Sequence, residues 1–350
     1  MILAGGTGGH VYPALAVAEE LRRRGCEVRW MGTETGLEAR VVPAAGIALD
    51  WLAVGGFRGK HWATKLKAPF RLVQACWQAL VWLRRFRPDV VLGMGGFVAA
   101  PGGGMARLLR IPLVIHEQNR IPGTTNRILV HCAQTVLEAF PGSFSGSACA
   151  CAVGNPLRPG IIALSAAPRS EPLAPLRLLV FGGSQGARVL NETVPDALAV
   201  TGGVFRVRHQ TGAALRDATA ARYRELGVEA EVVAFIDDME EAYRWADLAI
   251  CRAGAMTISE LAAVGLPAVL IPFPFAIDDH QTANARYLAD QGAAILLPQS
   301  DLTPPKLSEI LRTFLHQPQS LAAFSVRLRA LARPDATASV CAAVLAGGGR

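Results

Sequence analysis

The chain repeats one local pattern in both of its halves: a short apolar segment, a turn of small residues, and then a helix. The apolar segments fall at residues 2–4, 27–31, 90–92 and 113–115, and again at 178–181, 205–209, 232–235, 248–251 and 268–271. Runs this short, separated by helical stretches such as residues 13–24, are typical of strands buried in parallel sheets. The pattern predicts an α/β fold with one doubly wound parallel sheet in each half.

Proline marks the boundary between the halves. Residues 165–175 are proline-rich and lack periodicity, and they follow Gly154-Asn-Pro-Leu-Arg-Pro159. This composition is typical of a linker, and 350 residues suffice for two hydrophobic cores. We therefore predict two Rossmann-like domains, residues 1–160 and 161–334. Because ligands of such sheets bind beyond the carboxyl ends of the strands, two facing domains would form a cleft.

Three glycine-rich loops follow predicted strands. They read Gly5-Gly-Thr-Gly-Gly-His10, Gly93-Met-Gly-Gly-Phe97 and Gly182-Gly-Ser-Gln-Gly-Ala187. Glycine lets the backbone approach a ligand closely, and amides at a helix start suit a pyrophosphate. The first and third loops do not match the dinucleotide fingerprint, no acidic residue ends the second strand of either half, and the P-loop motif is missing from the sequence. A dinucleotide site is therefore disfavoured.

Residues 252–284 combine the groups that a nucleotide sugar requires. A predicted strand ends at Cys251, and small residues then lead directly into a helix whose start presents backbone amides to a phosphate. Glu260 suits sugar hydroxyls, while Gln281 and Asn284 share one helical face and offer neutral polar groups to a hexose. The alternative interpretation is an ordinary strand–helix unit with a glycine turn.

Several titratable side chains lie beside these loops. His10 is either a structural histidine or a general base, since histidine titrates near neutral pH. The segment His116-Glu-Gln-Asn119 ends a predicted strand and is expected to face the cleft. The pairs Asp237-Asp238 and Asp278-Asp279 each precede a predicted helix, where an acid caps a helix more often than it holds a metal. We therefore expect no tightly bound metal.

The excess positive charge is confined to the first half. Residues 1–160 hold 18 basic and 9 acidic residues, although the formal net charge of the whole chain is only +7. Nucleic acid, an anionic bilayer or an anionic substrate would each explain this asymmetry. Seven cysteines without a C-x-x-C pair predict reduced thiols in a cytosolic protein. The longest apolar run, residues 261–277, contains Gly and Pro and does not predict a membrane span.

Between Asp50 and Asp89 the chain has no acidic residue but many cations and aromatic side chains. Within a predicted helix, Leu66, Phe70, Val73, Trp77 and Leu80 form an apolar stripe, which by itself favours a core-facing surface. Aromatics beside cations in the loop at residues 55–62 suit an anionic lipid surface. We therefore predict peripheral attachment to a membrane through residues 57–87. Nucleic acid is disfavoured because no known binding module accompanies the charge.

Taken in order, these motifs resemble the MurG family of bacterial peptidoglycan glycosyltransferases over essentially the whole chain. The motifs are the three glycine loops, His116 to Asn119, Gly154 to Pro156 with Arg158, Phe235 to Met239, and Arg252 to Glu260 with Gln281. The resemblance implies a GT-B fold that transfers N-acetylglucosamine, with inversion, from UDP-N-acetylglucosamine. The implied acceptor is the muramoyl 4-hydroxyl of undecaprenyl-pyrophosphoryl-N-acetylmuramoyl-pentapeptide, at the cytoplasmic face of the inner membrane.

The resemblance also assigns roles to individual residues. It implies that Ile236 contacts uracil, that Glu260 contacts the ribose, and that Gln281 contacts the sugar. Further residues implied on the donor side are Thr7, Gly8, Gly9, Asn119, Arg158, Ser184, Ala255, Met256, Thr257, Ile258 and Ser259. Residues expected on the acceptor side are Gly95, Gly96, His116 and Glu117, with His10 as the candidate catalytic base. Residues 335–350 are expected to form a helix that packs back on the first domain.

This chain departs from the family pattern at two positions. The family often has Tyr where this chain has Phe97, which lacks the hydroxyl for a hydrogen bond from that position. Cys251 stands where Ser is common, and we expect this change to be neutral.

Several rival functions remain. The rivals are another GT-B glycosyltransferase, a UDP-sugar epimerase, a non-catalytic UDP-sugar-binding scaffold at the membrane, and an NAD-dependent oxidoreductase.

Overall fold

The computed structural model describes residues 1–54, 68–145, 150–167, 169, 174–183, 186–202 and 205–349. Some predicted features lie outside the described residues: the loop 55–62, Lys65, Leu66 and Lys67, and Ser184. The chain divides into two compact units. The first is Met1–Arg158 together with Arg333–Arg350, and the second is Pro159–Ala332.

Among its described residues, the first unit has a seven-stranded parallel sheet. Its strands are β1 (Ile2–Leu3), β2 (Arg29–Gly32), β3 (Ala48–Trp51), β4 (Val91–Gly93), β5 (Leu113–Glu117), β6 (Thr135–Glu138) and β7 (Ala150–Ala152). Their spatial order is β3-β2-β1-β4-β5-β6-β7. The order reverses between β1 and β4, and the first two glycine-rich loops follow these two strands. They therefore lie at the topological switch point, where doubly wound sheets bind ligands.

Helices cover both faces of this sheet. They are α1 (Gly8–Arg23), α2 (Glu38–Ala44), α3 (Ala68–Phe86), α4 (Ala99–Leu108) and α5 (Thr124–Leu129). On one face α1 buries Val11, Val17 and Leu21 in a core that includes Ile2. On the other face α3 buries Ala75, Ala79 and Leu83 in a core that includes Leu3. Successive strand residues thus feed opposite cores, as the alternation of side chains along a strand requires.

The described part of the second unit contains a six-stranded parallel sheet. Its strands are β8 (Leu176–Phe181), β9 (Phe205–Gln210), β10 (Ala230–Val233), β11 (Leu248–Cys251), β12 (Ala268–Leu270) and β13 (Ile295–Leu296). The spatial order is β10-β9-β8-β11-β12-β13, so the order reverses between β8 and β11. The loop 182–187 and the segment that starts at Arg252 follow these two strands. The second unit therefore presents its own switch point.

The helices of the second unit surround this sheet. They are α6 (Pro159–Ser165), α7 (Arg188–Thr201), α8 (Arg216–Glu225), α9 (Met239–Trp245), α10 (Ala255–Val264), α11 (His280–Ala289), α12 (Pro304–His316) and α13 (Gln319–Leu331). The central strands β8 and β11 bury Leu178, Val180, Leu248 and Ile250. Because β8 and β11 are paired up to Phe181 and Cys251, their carboxyl ends lie side by side.

The chain then returns to the first unit as α14 (Ala336–Gly348). Val340, Cys341 and Val344 are buried in the same core as α1, and the Cys341 thiol lies 3.7 Å from the carbonyl oxygen of Val17. Burying side chains of this size contributes about 1 to 3 kcal/mol each. The closing helix is therefore an integral part of the first unit.

The predicted apolar stripe on α3 is exposed, contrary to the interpretation of it as a core face. Phe70, Val73 and Trp77 are 86%, 69% and 64% exposed. The buried face is formed instead by Ala75, Ala79 and Leu83. Small alanine side chains let α3 lie close against α4, and the larger side chains are left on the outside.

Candidate functional site

The loop between β1 and α1 packs directly against the loop after β4. Gly96 has a φ of 78°, and a Cβ atom there would overlap the carbonyl oxygen of Gly5. Only glycine satisfies both the backbone conformation and this close approach. The structure thus brings Gly95 and Gly96 together with the first glycine-rich loop.

His10 lies in the first turn of α1 and is oriented by two neighbours. Its Nδ1 lies 3.2 Å from the hydroxyl oxygen of Thr7, the residue that precedes the helix. Its ring rests against Gly95, where a Cβ atom would lie 2.8 Å from the ring Cδ2 and 3.1 Å from Nε2. Because the Thr7 hydroxyl contacts the ring, no side chain caps α1. The Gly8 and Gly9 amides precede the helical bonding pattern, in which Val11 N–H donates to Thr7 O.

His116 was expected to face a ligand, but it is buried and bonded within the first unit. Its Nε2–H donates to the carbonyl oxygen of Gly154 at 2.9 Å, and Nδ1 then accepts from the Gln118 side-chain amide at 3.0 Å. Burial lowers the pKa of His116 and keeps the ring neutral. His116 therefore connects the end of β5 to the segment after β7.

Glu117 is also buried, which differs from the expected acceptor-side position. Its carboxylate accepts hydrogen bonds from the backbone N–H of Asn119 at 2.9 Å, from Gly123 N–H at 3.0 Å and from the Asn126 side chain at 2.9 Å. A buried carboxylate needs such donors, and here they define the loop before α5. Glu117 thus shapes the segment that carries Asn119. Asn119 and Arg158 are themselves half-buried.

The start of α10 has the geometry of an anion site. Gly254 precedes the helix in an extended conformation, and no side chain caps it. The helical bonding pattern begins only where Ile258 N–H donates to Gly254 O at 2.9 Å. The amides of Met256 and Thr257 therefore lie ahead of that pattern and at the positive end of the helix.

The side chains of two residues of the predicted group at α10 are buried by packing. Ile258 is fully buried, and its amide is used within the helix. Ala255 is also buried, while Met256, Thr257, Ser259 and Glu260 are half-buried. A helix turns 100° per residue, so the side chains of six consecutive residues cannot all face one ligand. The side chain and the amide of Ile258 are therefore both used within the second unit.

Gln281 holds two loops of the second unit together. Its Oε1 accepts from the backbone N–H of Phe273 at 2.9 Å and of Ala253 at 3.2 Å. Two backbone donors on one atom assign that atom as the amide oxygen. The Nε2 group is then the part of Gln281 that can donate to a sugar. Asn284 is buried and donates from Nδ2 to the Ala253 carbonyl oxygen, so it supports the same turn.

Tyr243 is a site residue that the sequence did not single out, and Arg252, which begins one of the resembling motifs, was given no role of its own. Arg252 donates to the carbonyl oxygens of Ile271 and Pro272, both at 3.1 Å, and lies over the Phe273 ring. Burial lowers the pKa of Arg252. Tyr243 is fully buried on α9, and its hydroxyl donates to Glu260 Oε2 at 2.8 Å. Only the fold reveals the contact between Tyr243 and Glu260, since 17 residues separate them in the chain.

The third glycine-rich loop, which contains Gly182 and Gly186, rests on the end of β9. Gly186 has a φ of 72°, and a Cβ atom there would overlap the carbonyl group of Thr211. The buried Gln210 accepts from Gly182 N–H at 3.3 Å and donates to the Ala234 carbonyl oxygen at 3.2 Å. Gln210 thus connects this loop to the segment that carries Ile236, which is half-buried.

The two acidic pairs differ in role. Asp238 caps α9 by accepting from Glu241 N–H at 2.8 Å, as an acid before a helix is predicted to do. Asp279 precedes α11, but its side chain accepts no capping hydrogen bond, so the predicted cap is wrong for this residue. Asp278 and Asp279 both have a positive φ, 54° and 52°. The described residues contain no cluster of three or more His, Cys, Asp or Glu side chains placed to hold a metal.

The described residues also include no helix with the length and apolar character needed to cross a membrane.

Two family models together match most of this chain. The model of the glycosyltransferase family 28 N-terminal domain matches residues 1–138, and that of the family 28 C-terminal domain matches residues 177–338. A Methylococcus capsulatus protein named UDP-N-acetylglucosamine--N-acetylmuramyl-(pentapeptide) pyrophosphoryl-undecaprenol N-acetylglucosamine transferase is 62% identical over 97% of this chain and 96% of its own length. The chain belongs to the MurG family.

Two further relatives agree with this assignment. A Thiobacillus denitrificans protein of the same name is 53% identical over 98% of this chain and 97% of its own length. The crystal structure of Acinetobacter baumannii MurG superposes with a TM-score of 0.84 at 41% identity, covering 99% of this chain and 98% of that one. The predicted family and GT-B fold are therefore confirmed, and this MurG-family chain is a UDP-N-acetylglucosamine-dependent glycosyltransferase.

Proposed function

We propose that this chain transfers N-acetylglucosamine, with inversion, from UDP-N-acetylglucosamine to the muramoyl 4-hydroxyl of undecaprenyl-pyrophosphoryl-N-acetylmuramoyl-pentapeptide. The product is the disaccharide-pentapeptide lipid of peptidoglycan synthesis. The observation that carries the proposal is the start of α10, with Glu260 and Gln281 held beside it, in a chain 62% identical to a transferase of this name.

The second unit is the proposed donor site. The Met256 and Thr257 amides at the positive end of α10 suit the diphosphate, together with Ser184, because helix N-termini favour anions. Glu260 accepts from the ribose hydroxyls, and the Gln281 Nε2 group donates to the sugar. Ile236 meets the uracil through its backbone. Gln210 supports that contact by holding the carbonyl oxygen of Ala234.

The first unit is the proposed source of the catalytic base. His10 takes the proton of the acceptor hydroxyl while the oxygen forms its bond to the anomeric carbon and the bond to UDP breaks. The contact with Thr7 supports this role because it orients the ring. Gly8, Gly9, Asn119 and Arg158 contribute polar contacts from the first unit. The leaving diphosphate is stabilised by backbone amides, so transfer needs no tightly bound metal.

A transfer assay in the presence of EDTA tests this function. The donor is radiolabelled UDP-N-acetylglucosamine, and the acceptor is a short-chain version of the lipid. We expect a disaccharide lipid with a β linkage and release of one UDP per sugar. UDP-N-acetylglucosamine binding without any product would identify a binding scaffold instead. Product formed only after a divalent cation is restored would contradict the metal-independent mechanism.

The chain is further proposed to act at the cytoplasmic face of the inner membrane, attached through α3. Phe70, Val73 and Trp77 form an exposed apolar stripe, and Arg71, Arg84 and Arg85 are exposed on the same helix. A helix with exposed aromatics beside cations suits an anionic lipid surface. Each cation near such a surface contributes about 1 kcal/mol of attraction.

Replacing Phe70 and Trp77 together by Ser should weaken binding to phosphatidylglycerol vesicles by about tenfold or more, since each aromatic that enters the lipid contributes roughly 1 to 3 kcal/mol. Vesicle flotation at low and high salt measures this. The matched control is Val326→Ser, which removes a side chain that is 70% exposed on α13. Attachment through α3 would be contradicted if the wild-type protein did not bind phosphatidylglycerol vesicles. It would also be contradicted if the double variant bound these vesicles as strongly as Val326→Ser does.

A further inference from the structure

A buried carboxylate lies beneath the first glycine-rich loop. Glu38, the first residue of α2, is fully buried. Its Oε2 accepts from Gly6 N–H at 2.9 Å, and its Oε1 accepts from Thr33 N–H at 2.9 Å and from the Thr33 hydroxyl at 2.7 Å. These three donors compensate the burial of the charge. Glu38 therefore ties the β1–α1 loop to the β2–α2 loop.

Three glycines make room for this carboxylate. A Cβ atom on Gly5 would lie 2.6 Å from Glu38 Oε1, and one on Gly32 would lie 2.7 Å from Glu38 Cγ. A Cβ atom on Gly36 would overlap the carboxylate itself. None of these three residues is among the glycines with a positive φ. Their lack of a side chain is therefore needed for space around Glu38 rather than for backbone conformation.

The same loop is held at several points along its length. The indole N–H of Trp30 donates to the Ala4 carbonyl oxygen at 2.8 Å, and Glu38 binds the amide of Gly6 two residues later. Gly96 packs on the Gly5 carbonyl oxygen from another side. Thr7, whose hydroxyl contacts the His10 ring, directly follows Gly6. The position of the Gly6 amide thus governs the position of Thr7.

We infer that Glu38 is a positioning residue for the transfer reaction. It holds the Gly6 amide so that Thr7 orients the ring of His10 toward the acceptor hydroxyl. The inference rests on the proposed function, in which His10 is the base. Glu38 itself does not touch the substrate, because it is fully buried beneath the loop.

A neutral amide cannot replace this carboxylate. Glutamine has one acceptor oxygen and one NH₂ donor, whereas the pocket presents backbone N–H groups to both carboxylate oxygens. In Glu38→Gln, either Gly6 N–H or Thr33 N–H would face a donor and lose its acceptor. The loop would then move, and displacement of catalytic groups by about 1 Å lowers turnover up to about 100-fold.

Two variants perturb this contact by different routes. Glu38→Gln removes an acceptor without changing the size of the side chain, and Gly36→Ala displaces the carboxylate without changing its charge. We expect each to lower kcat by about 10- to 100-fold. The Kd for UDP should stay within about twofold of the wild-type value, because the groups proposed to hold the uracil, the ribose and the diphosphate lie in the second unit. Rates are expressed per UDP-binding site and are measured well below the Tm of each variant, so that unfolded protein does not count as lost activity.

The controls separate positioning from stability. Asp50→Asn removes another buried carboxylate of the first unit, one paired with Arg29 on the outer strands β2 and β3. Gly104→Ala adds a Cβ atom that meets no atom within 4 Å. Both should keep the wild-type kcat per site, even if Asp50→Asn lowers Tm. Should Glu38→Gln fail to fold, Glu38→Asp retains the charge and shortens the reach, and it should lose kcat in the same way.

The inference is overturned if Glu38→Gln and Gly36→Ala lower Tm but keep kcat per site within about twofold of the wild type. That result would make Glu38 a purely structural residue. A wild-type enzyme that transfers no sugar would refute the proposed function, and the two failures are therefore distinguishable.

Discussion

A His10→Ala enzyme is expected to bind UDP with wild-type affinity and to transfer N-acetylglucosamine at least about 100-fold more slowly, since a positioned general base contributes roughly 10²- to 10⁴-fold. The imidazole lies in the first turn of α1, between the Thr7 hydroxyl and Gly95. Removing the imidazole removes the proposed acceptor of the hydroxyl proton. It leaves the groups of the second unit that are proposed to bind UDP unchanged. Measuring kcat beside the Kd for UDP separates the two effects.

The contact between Thr7 and His10 provides a graded version of this experiment. Thr7→Val keeps the shape of the side chain and removes the hydroxyl that lies 3.2 Å from Nδ1. It should lower kcat by about tenfold, which corresponds to one lost hydrogen bond of about 1 kcal/mol or slightly more. His316→Ala, at the exposed end of α12, is the matched control and should leave kcat unchanged. A His10→Ala enzyme with full turnover would eliminate His10 as the base.

The parallel sheets were predictable because their central strands are continuous apolar runs. Three outer strands of the first sheet were missed: β3 at one edge, and β6 and β7 at the opposite side. Strands β3 and β6 carry acids in positions that sequence patterns assign to loops. Asp50 in β3 is paired with Arg29, and Glu138 in β6 accepts from Gly142 N–H and Phe144 N–H. The start of α1 was predicted at residue 13, whereas the helix begins at Gly8. Because glycine and proline disfavour helices, the sequence with Pro13 does not predict this first turn, which the surrounding loops stabilise.

The glycine loops and the start of α10 were predictable because their chemistry is local. The roles of His116 and Glu117 were not, since burial depends on partners that are distant in the chain, such as Gly154 for His116. The exposure of the apolar stripe on α3 could not be predicted for the same reason, because it depends on which residues pack against the helix. Periodicity identifies an apolar face, but only the packing of Ala75 and Ala79 shows which face the sheet covers. Tyr243 and Glu38 likewise gain meaning only from the contacts that the fold creates.

Glu260→Ala should raise the Kd for UDP by about 10- to 100-fold, because hydrogen bonds to a charged group contribute roughly 1.5 to 3 kcal/mol and each 1.4 kcal/mol is tenfold in Kd. The carboxylate lies in the second turn of α10, and the buried Tyr243 hydroxyl donates to its Oε2 at 2.8 Å. A carboxylate offers about four acceptor positions, so it can bind ribose hydroxyls while Tyr243 stays bonded. Calorimetric titration with UDP and with 2′-deoxy-UDP measures the effect. The variant should lose both affinity and the preference for ribose.

Tyr243→Phe isolates the orienting part of this pair. It keeps the edge-on packing against Phe181, with ring centroids 6.0 Å apart, and removes only the hydroxyl. The Kd for UDP should rise by about three- to tenfold, less than for Glu260→Ala, because the carboxylate remains but is no longer held in one rotamer. Glu309→Ala, an exposed acid on α12, should bind UDP normally. If Glu260→Ala discriminates between UDP and 2′-deoxy-UDP as well as Glu309→Ala does, then Glu260 does not contact the ribose. The Tyr243 hydrogen bond would in that case serve only to connect α9 to α10.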